Sequence, residues 1–287
     1  MKRFIVKSIV FVVLGIIILN VWGYVLINSN AFSKQLSWHG ILRVIRKSQA
    51  SIPSKVLLLG DSVGRQIFTR KKPNSLLING SVLSIGHYIL AYNAIKKNKN
   101  IKYIVLASTP VVIGHQFERQ RTYHNFMKPF YTFENLDLIS KSVKTKIKKK
   151  KLGFLVLFPF IKAAPCFSDI NYSSTGTTRK PWTLSDIAIE YLQKLDSLCK
   201  QKNIKFMIVS PPIPKKFRKL SNNWEKMRRQ IKINKLDHMF EGYFENLIYL
   251  NQIHLSDDGV HLKRTYLIKN RKKIIKKILP PEVYPLL

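Results

Sequence analysis

The sequence predicts an α/β fold: a mostly parallel β-sheet covered by helices on both faces, three layers deep, preceded by one N-terminal transmembrane helix. Three observations carry this expectation. Short continuous apolar runs end in Gly, Ser or Pro, as strands buried on both faces do. Segments with helical spacing lie between them. A long apolar stretch opens the chain.

That stretch is "IVFVVLGIIILNVWGYVLI", residues 9–27, interrupted by Asn20. A helix rising ~1.5 Å per residue needs about 20 such residues to cross hydrocarbon. Lys2, Arg3 and Lys7 precede it, and Trp22 and Tyr24 lie near its far end, where interface anchors sit. "INSNAFS" (27–33) is a poor cleavage site, so residues 1–30 read as an uncleaved anchor rather than a signal peptide. Lys34, Arg43, Arg46 and Lys47 follow, so charge alone does not orient the span.

Residues 31–54 read as a juxtamembrane linker with a short amphipathic piece, "WHGILRVIRK" (38–47). The main domain follows over 55–287. Strands are expected at "KVLLL" (55–59), "SLLIN" (75–79), "IKYIVLAS" (101–108), "IKFMIVSPP" (204–212) and "NLIYLN" (246–251). Helices are expected at 85–98, 183–203, 222–235 and 265–279, the last stopped by Pro280-Pro281. Thr183 and Asp186 resemble a capping box. Residues 113–180 form an insertion. Its lysine run (144–151) reads as a solvated face leading into a buried strand, or, more sharply, as a second contact with the membrane surface.

Fifty Lys and Arg against fifteen Asp and Glu leave a charge of +35, which attracts phosphate, anionic lipid or acidic glycan. A hydrophobic fraction of 46% supplies a core, so wholesale disorder is excluded. Cys166 and Cys199 stand apart with no Cys/His cluster, which excludes a structural zinc site and reads as two isolated small hydrophobes. No G-x-G-x-x-G or phosphate-loop lysine is present, so neither a nucleotide cofactor nor a metal is expected. Nucleic acid is not an expected partner either, since no recognition motif accompanies the charge.

In open parallel sheets, sites lie beyond the carboxyl ends of the strands. Gly60-Asp61-Ser62 sits at such an end, and in isolation it also reads as an ordinary βα turn. After the last strand comes "QIHLSDDGVHLKR" (252–264). A serine becomes a nucleophile when a histidine takes its proton and a carboxylate orients that histidine. Asp258 three residues before His261 suits this role from one loop; His254 and Asp257 are the competitors.

"LLLGDSVG" followed by a C-terminal "DGVHL" resembles the SGNH (GDSL-type) hydrolase superfamily, over residues 55 to the end. The resemblance implies a flavodoxin-like α/β/α sandwich, with Ser62 as nucleophile, His261 as base and Asp258 as its partner. It implies an oxyanion hole formed by the backbone N–H groups of Ser62 and of Gly86, with Gly80 as the alternative and Ser84 nearby. Asp61, Asn79, Ser108 and Thr109 are the expected substrate contacts. One block departs from the family: where an Asn should follow the third strand, this chain reads "LASTPVV" (106–112). Together with the anchor and "TYHNFMKPFY" (122–131), this is similar to the membrane-anchored branch that works in cell-envelope polysaccharide O-acylation. The resemblance implies a bacterial cytoplasmic-membrane protein whose domain faces outward, an acylated or lipid-linked glycan substrate, and a membrane-bound O-acyltransferase as partner. A non-catalytic scaffold that binds an anionic glycan is the alternative expectation.

Overall fold

The computed structural model describes residues 2–28, 39–68, 72–77, 84–113, 128–130, 133–149, 170–172 and 183–287. The chain divides into two compact units, one from residues 1–42 and 118–175, the other from 43–117 and 176–287.

In the first unit, α1 runs over Lys2–Asn28. Most of its described apolar side chains, among them Phe4, Phe11, Ile18 and Trp22, are exposed. The transmembrane helix expected over 1–30 is not found among the described residues: none of their helices is long and apolar enough to cross a membrane. Of the stretch 9–27, the side chains of residues 20 and 23–27 lie outside the described ones. The same unit holds a short helix (Lys141–Lys146) running into strand Ile147–Lys149, which pairs antiparallel with Ile170–Tyr172. Part of the lysine run is thus helix and strand, while the apolar stretch after it, like Cys166, lies outside the described residues.

The second unit is α/β. After helix α2 (His39–Ser48), which enters this unit at Arg43, come β1 (Val56–Gly60), α3 (Ser62–Ile67), β2 (Ser75–Leu77), α4 (Ser84–Lys97) and β3 (Tyr103–Ala107). The short α5 (Pro110–Ile113) follows. Beyond the other unit's segment lie the long helix Asp186–Gln201, strand Lys205–Val209, helix Ser221–Ile233 and the closing helix Arg264–Ile278. With the first unit's helix counted as α6 and its strands as β4 and β5, these are α7, β6, α8 and α9.

Four strands form one parallel sheet in the order β2-β1-β3-β6. Parallel pairing needs crossovers, and the helices between the strands supply them. Side chains alternate across a strand, and here both sets are buried. Val56, Leu58, Val105, Ala107, Met207 and Val209 pack with Val63 and Ile67 of α3 and with Leu267, Ile274 and Ile278 of α9. The intervening Leu57, Leu59, Ile104, Leu106 and Ile208 are buried as well. This explains why the strands read as unbroken apolar runs. Helix α4 packs against α7, and α3 against α9.

Three expectations change. The segment expected as linker is structured from Arg43 on: Asn98 at the end of α4 accepts from the Ile52 N–H and donates to the Ala50 carbonyl, tying it to the domain. Helix α7 is capped by Ser185, whose hydroxyl accepts from the Ala188 N–H at 3.1 Å, and not by Thr183. The strand expected over 246–251 shrinks to β8 (Tyr249–Leu250), which pairs in parallel with β7 (Ile213–Pro214) outside the main sheet. Cys199 is buried with its thiol free; burial, with Asp196 adding repulsion, pushes that thiol up to about 12.

The join of β1 to α3 is closely packed against β3. A Cβ on Gly60 would lie 2.4 Å from the Ala107 carbonyl oxygen, and one on Gly64 would lie 2.9 Å from the same atom. That atom belongs to a central strand and has little freedom to yield. Gly60→Ala is therefore expected to cost at least about 1–3 kcal/mol of stability, the usual penalty for overpacking. Gly64→Ala should act in the same direction, and urea unfolding of both variants checks this.

Candidate active site

The turn after β1 is organised by one carboxylate. Asp61 is the N-cap of α3, and its Oδ1 accepts from the N–H groups of Val63 (2.9 Å) and Gly64 (3.0 Å). The Asp61 carbonyl takes the Arg65 N–H at 2.9 Å. Among the first-turn donors of α3 this leaves the Ser62 N–H with no hydrogen bond among the described residues. Ser62 itself is half-buried at the first helical position.

Asp61 is 1% exposed. Burial raises its pKa to about 6, against the pull of the Gly64, Val63 and Thr109 N–H groups and the positive influence of His261. The Thr109 N–H faces this carboxylate, yet Oδ2 lacks a hydrogen bond of ordinary geometry. With Oδ1 taken up by the cap and the group buried, Asp61 holds the turn in place.

The second piece comes from residues 255–262. Leu255 and Leu262 form an antiparallel bridge, and the Ser256 N–H donates to the His261 carbonyl at 2.8 Å. Gly259, at φ +64, makes the reversal between them. Inside this loop Asp258 Oδ2 is hydrogen-bonded to His261 Nδ1. Asp258 Oδ1 accepts from the N–H groups of Val260 and His261, both at 2.9 Å, and from the Ser256 hydroxyl at 3.0 Å. Partial desolvation pushes the Asp258 carboxyl up, but the His261 ring and these donors outweigh it and hold the group far below the usual range. An ionised carboxylate on Nδ1 fixes the tautomer that leaves Nε2 free to accept a proton.

The competing residues have other partners. His254 stacks on Tyr266 with ring centroids 4.4 Å apart. Asp257 makes no described contact with either histidine.

Helix α3 and this loop are joined by Gln66. Its Nε2 donates to the Leu262 carbonyl at 3.2 Å, and its Oε1 accepts the Leu262 N–H at 2.8 Å. Gln66 lies four residues after Ser62, on the same helix face, and Leu262 is next to His261. No hydrogen bond joins Ser62 to His261 among the described residues.

Gly86 lies in the first turn of α4, where N–H groups have no partner within the helix. The adjacent His87 reaches the Gly60 carbonyl, so this turn stands one side chain from the Gly60-Asp61-Ser62 turn. His87 is buried, its Nε2 has no hydrogen bond, and desolvation lowers its pKa to about 4 although the Gly60 carbonyl favours the charged form. Ser84 is also buried in this turn. Asn79 and Gly80 lie outside the described residues.

The end of β3 carries Ser108 and Thr109, both buried. The Thr109 hydroxyl accepts from the Val112 N–H at 3.3 Å and caps α5. Ser108 Oγ has no partner among the described residues, while its carbonyl accepts from the Tyr243 hydroxyl at 2.7 Å. The Tyr243 phenol is held well above its ordinary pKa by burial, with the Asp61 charge acting in the same direction, so it serves as a neutral donor. Gln66, His87 and Tyr243 were not singled out from the sequence. Helical spacing from Ser62 and adjacency to Gly86 were available signals for the first two; nothing marked Tyr243.

Asp61 and His87 act oppositely on stability. The folded pKa of Asp61 lies above the ordinary carboxyl value, so the stability it confers is lost as pH rises from about 4 to 6. The folded pKa of His87 lies below the ordinary imidazole value, so stability is gained as pH rises from about 4 to 6.5. Each effect is about 3 kcal/mol in size, and in the wild type they offset each other. Relative to wild type, Asp61→Asn should gain stability with rising pH over this window and His87→Gln should lose it. Denaturant unfolding at a series of pH values above 4 reads both slopes.

Compared with protein-family models and with curated proteins, the chain matches none.

Proposed function

We propose that this chain is a serine esterase or O-acyltransferase of the SGNH type, acting on the O-acetyl groups of a cell-envelope glycan. The observation that carries the reading is the pairing of Asp258 with His261 Nδ1, on a loop that Gln66 ties to the helix of Ser62.

In this reading Ser62 Oγ attacks the ester carbonyl carbon while its proton passes to His261 Nε2. Asp258 stabilises the imidazolium that results. The developing oxyanion is met by the Ser62 N–H, which the Asp61 cap leaves unclaimed, and by the Gly86 N–H. Collapse expels the alcohol, protonated by His261, and leaves an acyl-serine. Water, or a sugar hydroxyl deprotonated by His261, then takes the acyl group and restores Ser62. The chemistry of these residues needs no metal or cofactor. Hydrolysis and transfer differ only in that acceptor.

The remaining expectations belong to the same proposal. The domain is a three-layer sandwich, which fits the burial of both sheet faces. α1 holds the chain at the bacterial cytoplasmic membrane, with the domain outside, which fits its exposed apolar side chains and basic start. A lipid-linked glycan and a membrane-bound O-acyltransferase are then natural partners. The alternative, a non-catalytic scaffold binding an anionic glycan, draws support from the absent third-block Asn and the lack of a direct Ser62–His261 hydrogen bond. One missing oxyanion donor typically costs ~3–4 kcal/mol of transition-state stabilisation.

Turnover separates the two. Ser62→Ala and His261→Ala should each abolish hydrolysis of an acetyl ester or acetyl transfer to a free glycan, to a similar extent, since triad members act as a unit. Both should keep the wild-type melting temperature. Equal rates in wild type and Ser62→Ala on all substrates would favour the scaffold.

A further inference from the structure

We propose that the cleft between the 3₁₀ turn Lys215–Leu220 and residues 250–252 is a subsite for an oxyanion group, phosphate or carboxylate, that the substrate carries beside its ester. The inference rests on the esterase reading above and names the substrate class.

The cleft has a volume of about 500 Å³, and Lys215, Lys216, Arg218 and Lys219 line it. The turn is amphipathic in a useful way. Phe217 packs into a small cluster with Ile213, Trp224 and Leu247, and the four cations around it remain exposed. Two of them are braced on aromatic faces. Lys216 Nζ lies 5.6 Å from the Phe217 ring centroid, and the Arg218 guanidinium 6.0 Å from that of Tyr249. No carboxylate lines the cleft. A few of the chain's basic residues do find carboxylates, as in Lys205–Glu282 (2.8 Å) and Lys200–Asp196 (2.7 Å). Among the described residues none of the four cleft cations has an ion pair. Four like charges held together repel one another, and a bound anion relieves that repulsion. Asn251 and Gln252 add neutral amide groups to the same wall.

The position assigns the ligand. A Cβ placed on Gly259 would lie 3.4 Å from Lys216 Nζ and 3.5 Å from Gln252 Nε2. Gly259 sits between Asp258 and His261, so the cleft opens against the loop that carries the proposed base. An anion held there belongs to the molecule whose ester reaches Ser62. Lysine ammoniums together with a planar guanidinium suit phosphate and carboxylate alike.

The test compares kcat/KM for three acetyl esters: an acetylated glycerol phosphate oligomer, an acetylated oligouronide and a neutral acetylated xylo-oligosaccharide. The proteins are wild type, Lys216→Ala with Arg218→Ala, and Lys96→Ala with Lys97→Ala, which removes the same charge from the end of α4. The ratio of anionic to neutral ester should fall at least about tenfold in the cleft variant, the factor that about 1.4 kcal/mol of lost charge-assisted contact produces. It should hold in the α4 variant. Whichever anionic ester wild type prefers identifies phosphate or carboxylate. An unchanged ratio in the cleft variant, or an equal fall in the α4 variant, overturns the subsite. Lys215→Ala with Lys219→Ala, whose side chains make no ring contact among the described residues, repeats the test should the first pair unfold. If no ester is turned over, the catalytic reading fails by itself. Calorimetry with the unacetylated glycerol phosphate oligomer and oligouronide then decides the cleft: binding to wild type that the cleft variant loses supports it, and no binding to wild type overturns it.

Discussion

The arrangement depends on one side chain, Gln66. Its carboxamide makes both hydrogen bonds of a peptide-like pair with Leu262, across 196 residues of sequence. Apolar contacts of Val63, Ile67 and Phe68 with Leu255, Leu262 and Leu267 hold the same join from beneath. Packing alone would bring α3 and the loop together but would tolerate sliding. Two directional bonds to one peptide fix the register, and with it the position of His261 relative to the helix that begins at Ser62. Arg271, from the helix after the loop, adds a third link by donating to the Gln66 carbonyl at 3.3 Å.

Polar groups gather at the carboxyl ends of the strands at a cost in stability. Asp61, His87, Ser108 and Thr109 are all buried there. Asp61 Oδ2, His87 Nε2 and Ser108 Oγ go without hydrogen bonds. Unpaired buried polar atoms usually cost about 1–3 kcal/mol each, so such a cluster is not what optimising stability produces. Titratable groups displaced from their ordinary pKa values by burial tend to mark functional sites. Here they surround the turn that carries Ser62. The buried, protonated Tyr243 steadies the end of β3 by bonding the Ser108 carbonyl, and a carboxylate with a neutral imidazole flanks the β1 turn. The cluster surrounds the turn of Ser62, while Ser62 and His261 remain partly open to solvent.

Much of the domain was legible because its strands are buried on both faces. Continuous apolar runs such as residues 55–59 and 204–209 admit few other readings, and the helices between them declare themselves by spacing and by Pro280-Pro281. The pairing of Asp258 with His261 was legible because both lie in one short loop. What could not be read were contacts made across distance. Nothing local marks Gln66 as a bridge or Tyr243 as a clamp, since their partners are far away in sequence. The last strand was overestimated because residues 246–251 are apolar through packing beside β7, and the ladder is confined to Tyr249–Leu250, with the Ile248 carbonyl accepting from the Ile213 N–H at its start. At α7, Thr183 and Asp186 read as a capping box, while the cap is made by Ser185 between them. The amphipathic piece at 38–47 read as linker because its apolar face gives no sign of what covers it.

The central claim is that Ser62 is a nucleophile activated by His261. Labelling the intact protein with a fluorophosphonate and sequencing the modified peptide tests it most directly, because covalent capture needs the activated hydroxyl and no knowledge of the substrate. The account predicts an adduct on Ser62 in the wild type that His261→Ala greatly slows. An intact protein that takes no label, or takes it on another residue, would contradict it.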